Sequence, residues 1–234
     1  MEFNSYIFVL LFLPLSVFGY FILNRVSTKA QNIWLLLVSF IFYLCNGLRD
    51  ALFILLAIVV NYFLYLRIKK TNKKIYLNLG IGFNVLLLII FKYFGFLSKL
   101  FNSSLSLVMP LAISFYTFSN ISFLVDAYRN EIEDVSLFEY ALYVLFFPKI
   151  LQGPITSYNE LMFQFKDNSR KKINWDNLAQ GMISFILGLS KKVLLADVFA
   201  KAADFGFSNI DVLDTTNAIF IVLAYTFQIY TQEQ

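Results

Sequence analysis

The chain is a succession of apolar runs, most of them near the length of a membrane-crossing helix, separated by short polar or basic connections. A hydrocarbon core about 30 Å thick takes about 20 apolar residues as a helix, since the bilayer offers no water to unpaired backbone groups. Runs that reach or approach this length are Tyr6–Leu23, Ile33–Cys45, Ala51–Leu66, Ile75–Phe96, Leu107–Val125, Leu178–Phe199 and Ala218–Tyr230. The pattern predicts an all-α polytopic membrane protein with about seven transmembrane helices, forming one integral membrane domain over residues 1–234. Composition agrees: the chain is 59% hydrophobic and 15% charged, whereas a soluble domain has roughly 45–50% apolar and about 25% charged residues.

The first run begins after Glu2 without a basic leader and lacks an A-x-A cleavage site, so it reads as a retained helix that Pro14 kinks. The Ile33–Cys45 run is short and has to thin the bilayer, snorkel its flanks or extend as a polar-ended helix. The run from Tyr140 to Leu151 differs in kind. It is too short to span, and Pro148 and the Gly153-Pro154 pair interrupt it. Irregular backbone at membrane depth survives only where protein buries it or water reaches it, so residues 140–155 are predicted to re-enter the membrane beside a protein-lined cavity. The stretch 157–177 reads as an interfacial amphipathic helix in which Leu161, Phe163 and Phe165 alternate with polar residues, and Trp175 suits a headgroup-level anchor.

Basic residues in short loops set orientation. Arg67, Lys69, Lys70, Lys73 and Lys74 place the "RIKKTNKK" loop in the cytoplasm. Counting back puts the N-terminus outside. Counting forward with a re-entrant segment puts "KDNSRKK" inside, and the loop from Asp197 to Asp214 outside. The +4 net charge is therefore juxtamembrane, and nucleic acid is not an expected partner.

The composition also excludes chemistry. Cys45 is the single cysteine and there is no histidine, which rules out a disulfide framework, a cysteine-built metal site and imidazole catalysis within these residues. What remains is the polar content of the spans. Lys191 and Lys192 interrupt an apolar run, and either they snorkel from a helix ending near Ser190 or they line a cavity for an anionic acyl donor or lipid headgroup. Asn61, Asn78 and Asn84 read as interhelical hydrogen bonders. In "SFYTFSNISFLV", helical spacing puts Tyr116, Ser119 and Asn120 on one face, suited to a polar cavity wall or to helix association.

Several stretches, in order, resemble the membrane-bound O-acyltransferases, in particular the bacterial alginate O-acetyltransferase-like branch. These are "SYIFVLLFLPLSVFGYFIL", "ISFYTFSNISFLVDAYRNEIE", "YALYVLFFPKILQGPITSYNELMFQF", "GLSKKVLLAD" and "AYTFQIY". The resemblance implies a barrel-like helical core pierced by a tunnel. An acyl thioester donor, acyl-CoA or an acyl-carrier protein, would enter from the cytoplasmic side, and an acyl group, acetyl by analogy, would pass to hydroxyls of an extracellular polysaccharide or wall polymer. Pro148, Gln152, Gly153, Pro154, Lys191, Lys192, Tyr116 and Asn120 would line the tunnel or bind the donor. No bound cofactor or metal is implied.

After "AYTFQIY" the family continues with a Tyr-Phe-Asp-Phe-Ser-Gly-like stretch, whereas Thr231-Gln-Glu-Gln stands here. The family's catalytic histidine lies beyond that point. The chain is therefore expected to be the N-terminal part of such an enzyme, a truncated fragment inactive alone. Alternatives are a non-enzymatic membrane binding or assembly module, half of a split enzyme working with a separate C-terminal half or a polysaccharide-acetylation partner protein, or a transporter.

Overall fold

The computed structural model describes residues 5–100, 109–150, 156–167, 173–210 and 213–233, and every regular element among them is helical. They fall into two compact units, one over Pro14–Lys172 and the other over Glu2–Leu13 with Ile173–Gln234.

The π-helical turn Phe8–Phe12, in which the Leu13 amide bonds to the Phe8 carbonyl, is grouped with the second unit, and α1 (Leu13–Asn24) opens the first. The widened turn falls just where Pro14 withholds a backbone donor, so a π turn accompanies the proline where the sequence predicts a kink. Trp34 of α2 (Thr28–Leu44) donates its indole N–H to the Ser16 carbonyl at 3.0 Å. Its ring occupies the space that a methyl group on Gly19 would need. Ser27 caps α2 by accepting from the Ala30 amide, so the short apolar run is lengthened by a polar first turn holding Lys29, Gln31 and Asn32.

The long helices α3 (Leu48–Thr71) and α4 (Lys74–Leu100) form a tight hairpin through Asn72, which sits in the left-handed region at φ 47°. Lys69 and Lys70 lie in the last turn of α3, where the helix dipole favours cations. α5 (Ile113–Tyr128) packs on both. Among the described residues, Leu48–Thr71 and Lys74–Tyr93 are long and apolar enough to cross a bilayer, and the apolar helices Phe8–Asn24 and Thr28–Leu44 are shorter.

The connection from α5 is strapped to α3. The Tyr65 hydroxyl accepts from the Val135 amide at 2.9 Å, Tyr62 donates to the Val135 carbonyl, and Lys69 Nζ donates to the Ile132 carbonyl at 2.6 Å. Two S-x-x-E capping boxes then start short helices. Ser136 and Glu139 open α6 (Leu137–Leu145), and Ser157 and Glu160 open α8 (Tyr158–Lys166). Between them α7 is the single turn Phe147–Ile150. Nine residues rise only about 14 Å, so α6 is far too short to cross a bilayer. Residues 151–155 of the expected re-entrant segment and 168–172 of the interfacial stretch lie outside the described residues. Within α8 the burial follows the helix rather than the alternation: Tyr158, Leu161, Met162 and Phe165 are buried, and Phe163 is exposed.

In the second unit, α9 (Trp175–Lys191) runs through a π turn at Lys192–Ala196 into α10 (Asp197–Ser208), and α10 pairs with α11 (Thr215–Glu233). The helix therefore does not stop near Ser190, and most of the stretch expected as a loop from Asp197 is helical. Gly206 lets the Ile221 side chain approach, and Phe199–Phe227 and Phe207–Tyr225 ring pairs close the hairpin at 5.6 and 5.4 Å. Small residues at the crossing suit helices that lack a hydrophobic drive to associate in lipid.

Candidate functional site

The first unit holds two buried polar groupings of opposite character. The first is fully bonded. Asn84 of α4 donates to Asn61 Oδ1 of α3 at 2.6 Å and to the Gly80 carbonyl at 2.8 Å. Asn61 returns a bond to Asn84 Oδ1 and donates to the Ala57 carbonyl. Asn120 of α5 donates to the same Asn84 oxygen at 3.5 Å, and the Tyr140 hydroxyl of α6 donates to Asn120 Oδ1 at 2.7 Å. All three asparagines and Tyr140 are fully buried. The chain ties four helices together and uses the capacity of its members, so it fixes their register rather than offering a reactive group.

The second grouping surrounds Tyr143 of α6. Its hydroxyl donates to the Thr156 carbonyl at 3.1 Å and reaches the Ser119 carbonyl at 3.5 Å. Lys149 Nζ lies 3.6 Å from the centroid of its ring, a cation–π distance. Tyr158 packs edge-on against it at 5.5 Å, with Phe123 bridging both rings. Here the polar capacity is not used: Lys149 Nζ, Thr156 Oγ1 and Tyr158 Oη are buried without a hydrogen-bond partner. Burial pulls the Lys149 ammonium down to about 7. Burial also pushes the phenols of Tyr143 and Tyr158 up, so both stay protonated at neutral pH. Two elements position this cluster. The Phe147 amide donates to Ser39 Oγ of α2 at 3.3 Å, anchoring α7, and the Ser157 cap fixes the start of α8.

Of the residues singled out in the sequence, Tyr116, Ser119 and Asn120 share a buried face of α5, as their spacing predicts. Tyr116 sits one helical turn before Ser119, whose carbonyl the Tyr143 hydroxyl reaches, and has Asp50 nearby, which accepts from the Leu111 amide. Pro148 is exposed on α7, and Gln152, Gly153 and Pro154 lie outside the described residues. Lys191 and Lys192 belong to the second unit, where Lys192 pairs with Asp197 at 2.7 Å across the π turn. Asn61 and Asn84 bond between helices as expected, whereas Asn78 is exposed. Sequence reasoning passed over Lys149. The signal was present: it is the one charged residue in the run Tyr140–Leu151.

Two comparisons with known proteins complete the description. The profile of the membrane-bound O-acyltransferase family matches residues 94–232, more than half of the chain. The peptidoglycan O-acetyltransferase of Helicobacter pylori is 37% identical over 97% of this chain and 50% of its own length. Probable alginate O-acetylases of Pseudomonas aeruginosa and Azotobacter vinelandii are 30% and 32% identical over 98% of this chain, and over 46% and 48% of their own lengths. The chain thus spans about half the length of these relatives.

Proposed function

The chain belongs to the membrane-bound O-acyltransferase family, and from that premise we propose that it supplies part of the core of an enzyme that acylates an extracellular polysaccharide or wall polymer. The observation that carries this reading is the alignment of peptidoglycan and alginate O-acetylating relatives along nearly the whole chain. The transferred group would be acetyl, and the donor a thioester entering from the cytoplasm. A hydroxyl of the acceptor attacks the thioester carbonyl; the C–O bond forms, the C–S bond breaks, the thiol leaves and the hydroxyl proton passes to a base.

These 234 residues contain no imidazole. A histidine base for that proton would therefore come from outside them, and they would not transfer acyl groups by themselves. The same fact favours the second reading, a half-core that binds or assembles with separately supplied residues. About seven spans, with the N-terminus outside, would place the RIKKTNKK loop and the start of α6 on the donor side.

A chimera in which this chain replaces the aligned half of the Helicobacter pylori relative tests the proposal, with base-released acetate from the cell wall as the readout. Acetylation by the chimera, and none by the 234 residues expressed alone, is expected. A silent chimera would remove the acyl-transfer reading, and acetate released by the chain alone would remove the external base.

A further inference from the structure

Buried polar groups in folded proteins are almost always paired, because each one left unpaired forfeits its hydration with nothing in return, and a charged one forfeits more. Lys149 Nζ, Thr156 Oγ1 and Tyr158 Oη break that rule together, around one ring. Lys149 lies over the Tyr143 face, Thr156 holds the Tyr143 hydroxyl through its carbonyl, and Tyr158 packs against the ring edge-on. Among the described residues, Gln31 and Tyr43 of α2 and Thr117 of α5 also carry buried polar atoms without a partner, but only Lys149, Thr156 and Tyr158 gather around one ring, all three touching Tyr143.

The acids around the cluster are already committed. Glu139 accepts from the Ser136 amide and hydroxyl and pairs with Lys166 at 3.2 Å. Glu160 accepts from the Ser157 amide at 3.0 Å. Asp126 has the Ser122 hydroxyl within bonding reach. No carboxylate among the described residues pairs with Lys149. The cluster therefore presents one ammonium and two protonated hydroxyls. A neutral occupant would leave the ammonium uncompensated in a poorly solvated place, and a dianion would leave excess negative charge there.

We propose that Lys149, Thr156 and Tyr158 form a binding site for a monoanionic oxyanion, either the carboxylate of a small acid or the phosphodiester of a lipid headgroup. The ammonium supplies the charge and the two hydroxyls bond the remaining oxygen lone pairs. The site stands apart from the acyl-transfer reading, because its test needs no turnover. Binding is linked to proton uptake: burial lowers the Lys149 pKa to about 7, an anion beside it raises the value again, and affinity therefore weakens as pH rises through that range. Tyr143 and Tyr158 stay protonated there, and the bonds to Glu139 hold its carboxyl below its usual value, so the proton is taken up at Lys149.

The test is a thermal melt of the detergent-solubilised chain, titrated in one arm with sodium acetate and in the other with phosphatidylglycerol added to neutral micelles. Sodium chloride at matched ionic strength is the control. A saturable rise in Tm in either arm is expected, stronger at about pH 6 than at about pH 8, and the responding arm identifies the oxyanion. Lys149→Gln should weaken the apparent affinity by about tenfold or more, and Thr156→Val and Tyr158→Phe severalfold each. The two hydroxyl variants carry the test should Lys149→Gln not fold. No saturable shift in either arm, an equal effect of chloride, or unchanged affinity in all the variants that fold would overturn the proposal.

Discussion

At the scale of single residues, the asparagine chain shows how far a polar side chain inside a helix can be read in advance. Asn61, Asn78 and Asn84 look alike in the sequence, each a lone amide in an apolar run. Only the helical face decides between them: Asn84 lies six residues beyond Asn78 and faces α3 and α5, while Asn78 faces away. Asn84 is the node, bonded to Asn61, Asn120 and its own helix. Asn84→Ala leaves two buried amides short of a partner. Interhelical bonds in membranes average about 0.6 kcal/mol with a maximum near 1.7, so the variant should lose about 1–2 kcal/mol. Asn78→Ala should be neutral within about 0.5 kcal/mol. Reversible unfolding in mixed micelles compares the two, and equal losses would show that the network contributes nothing. Lys149 was missed for a related reason. Its charge was visible, but its meaning depends on Tyr143, Thr156 and Tyr158 closing around it and leaving it no carboxylate. That is a tertiary fact that no spacing encodes.

At the scale of elements, legibility depended on whether the signal is local. The two S-x-x-E boxes are local, and each places a helix start within one turn. The π turn after Lys191 has no such mark: "KVLLA" contains neither proline nor glycine, and the sequence offers either one span through it, Leu178–Phe199, or an end near Ser190, with nothing to signal a widened turn. Alternation at Leu161, Phe163 and Phe165 has a period of two, but the helix buries positions four apart, so Phe163 turns outward. The α6 and α8 helices are also linked to each other, by Glu139 and Lys166. Burial acts to raise the Glu139 carboxyl, but bonds from the Ser136 amide, Lys166 and the Ser136 hydroxyl outweigh it and hold it below its usual value of 4.5. A depressed folded pKa gives stability that is present above the unfolded value and lost as pH falls through the folded one. The first unit should therefore weaken below about pH 4.5, and Glu139→Gln should flatten that part of the acid unfolding curve while lowering stability at neutral pH. A variant curve parallel to the parent's through this range would show that Glu139 does not titrate differently on folding.

At the scale of the whole molecule, the open quantity is direction across the bilayer, and the chain carries its own reporter. The lysine-rich α3–α4 hairpin loop sits inside if basic loops remain in the cytoplasm. α2 then runs outward, and its C-cap, Cys45, reaches the outer surface. Cys45 is the single cysteine of the chain and is exposed, so a thiol reagent has one possible target. Lys69 near the end of α3 bonds the Ile132 carbonyl beyond the end of α5, while Asp50 near the start of α3 bonds the Leu111 amide just before α5 begins. The two helices thus run side by side in the same direction, with α4 returning between them, so fixing one loop fixes the rest of the first unit. In intact spheroplasts, a membrane-impermeant maleimide should modify Cys45 fully, and permeabilisation should add nothing. A permeant maleimide should reach the same extent in both, and Cys45→Ser should abolish the signal. Modification seen only after permeabilisation would invert the first unit, putting the lysine-rich hairpin loop and the start of α6 on the outer side of the membrane.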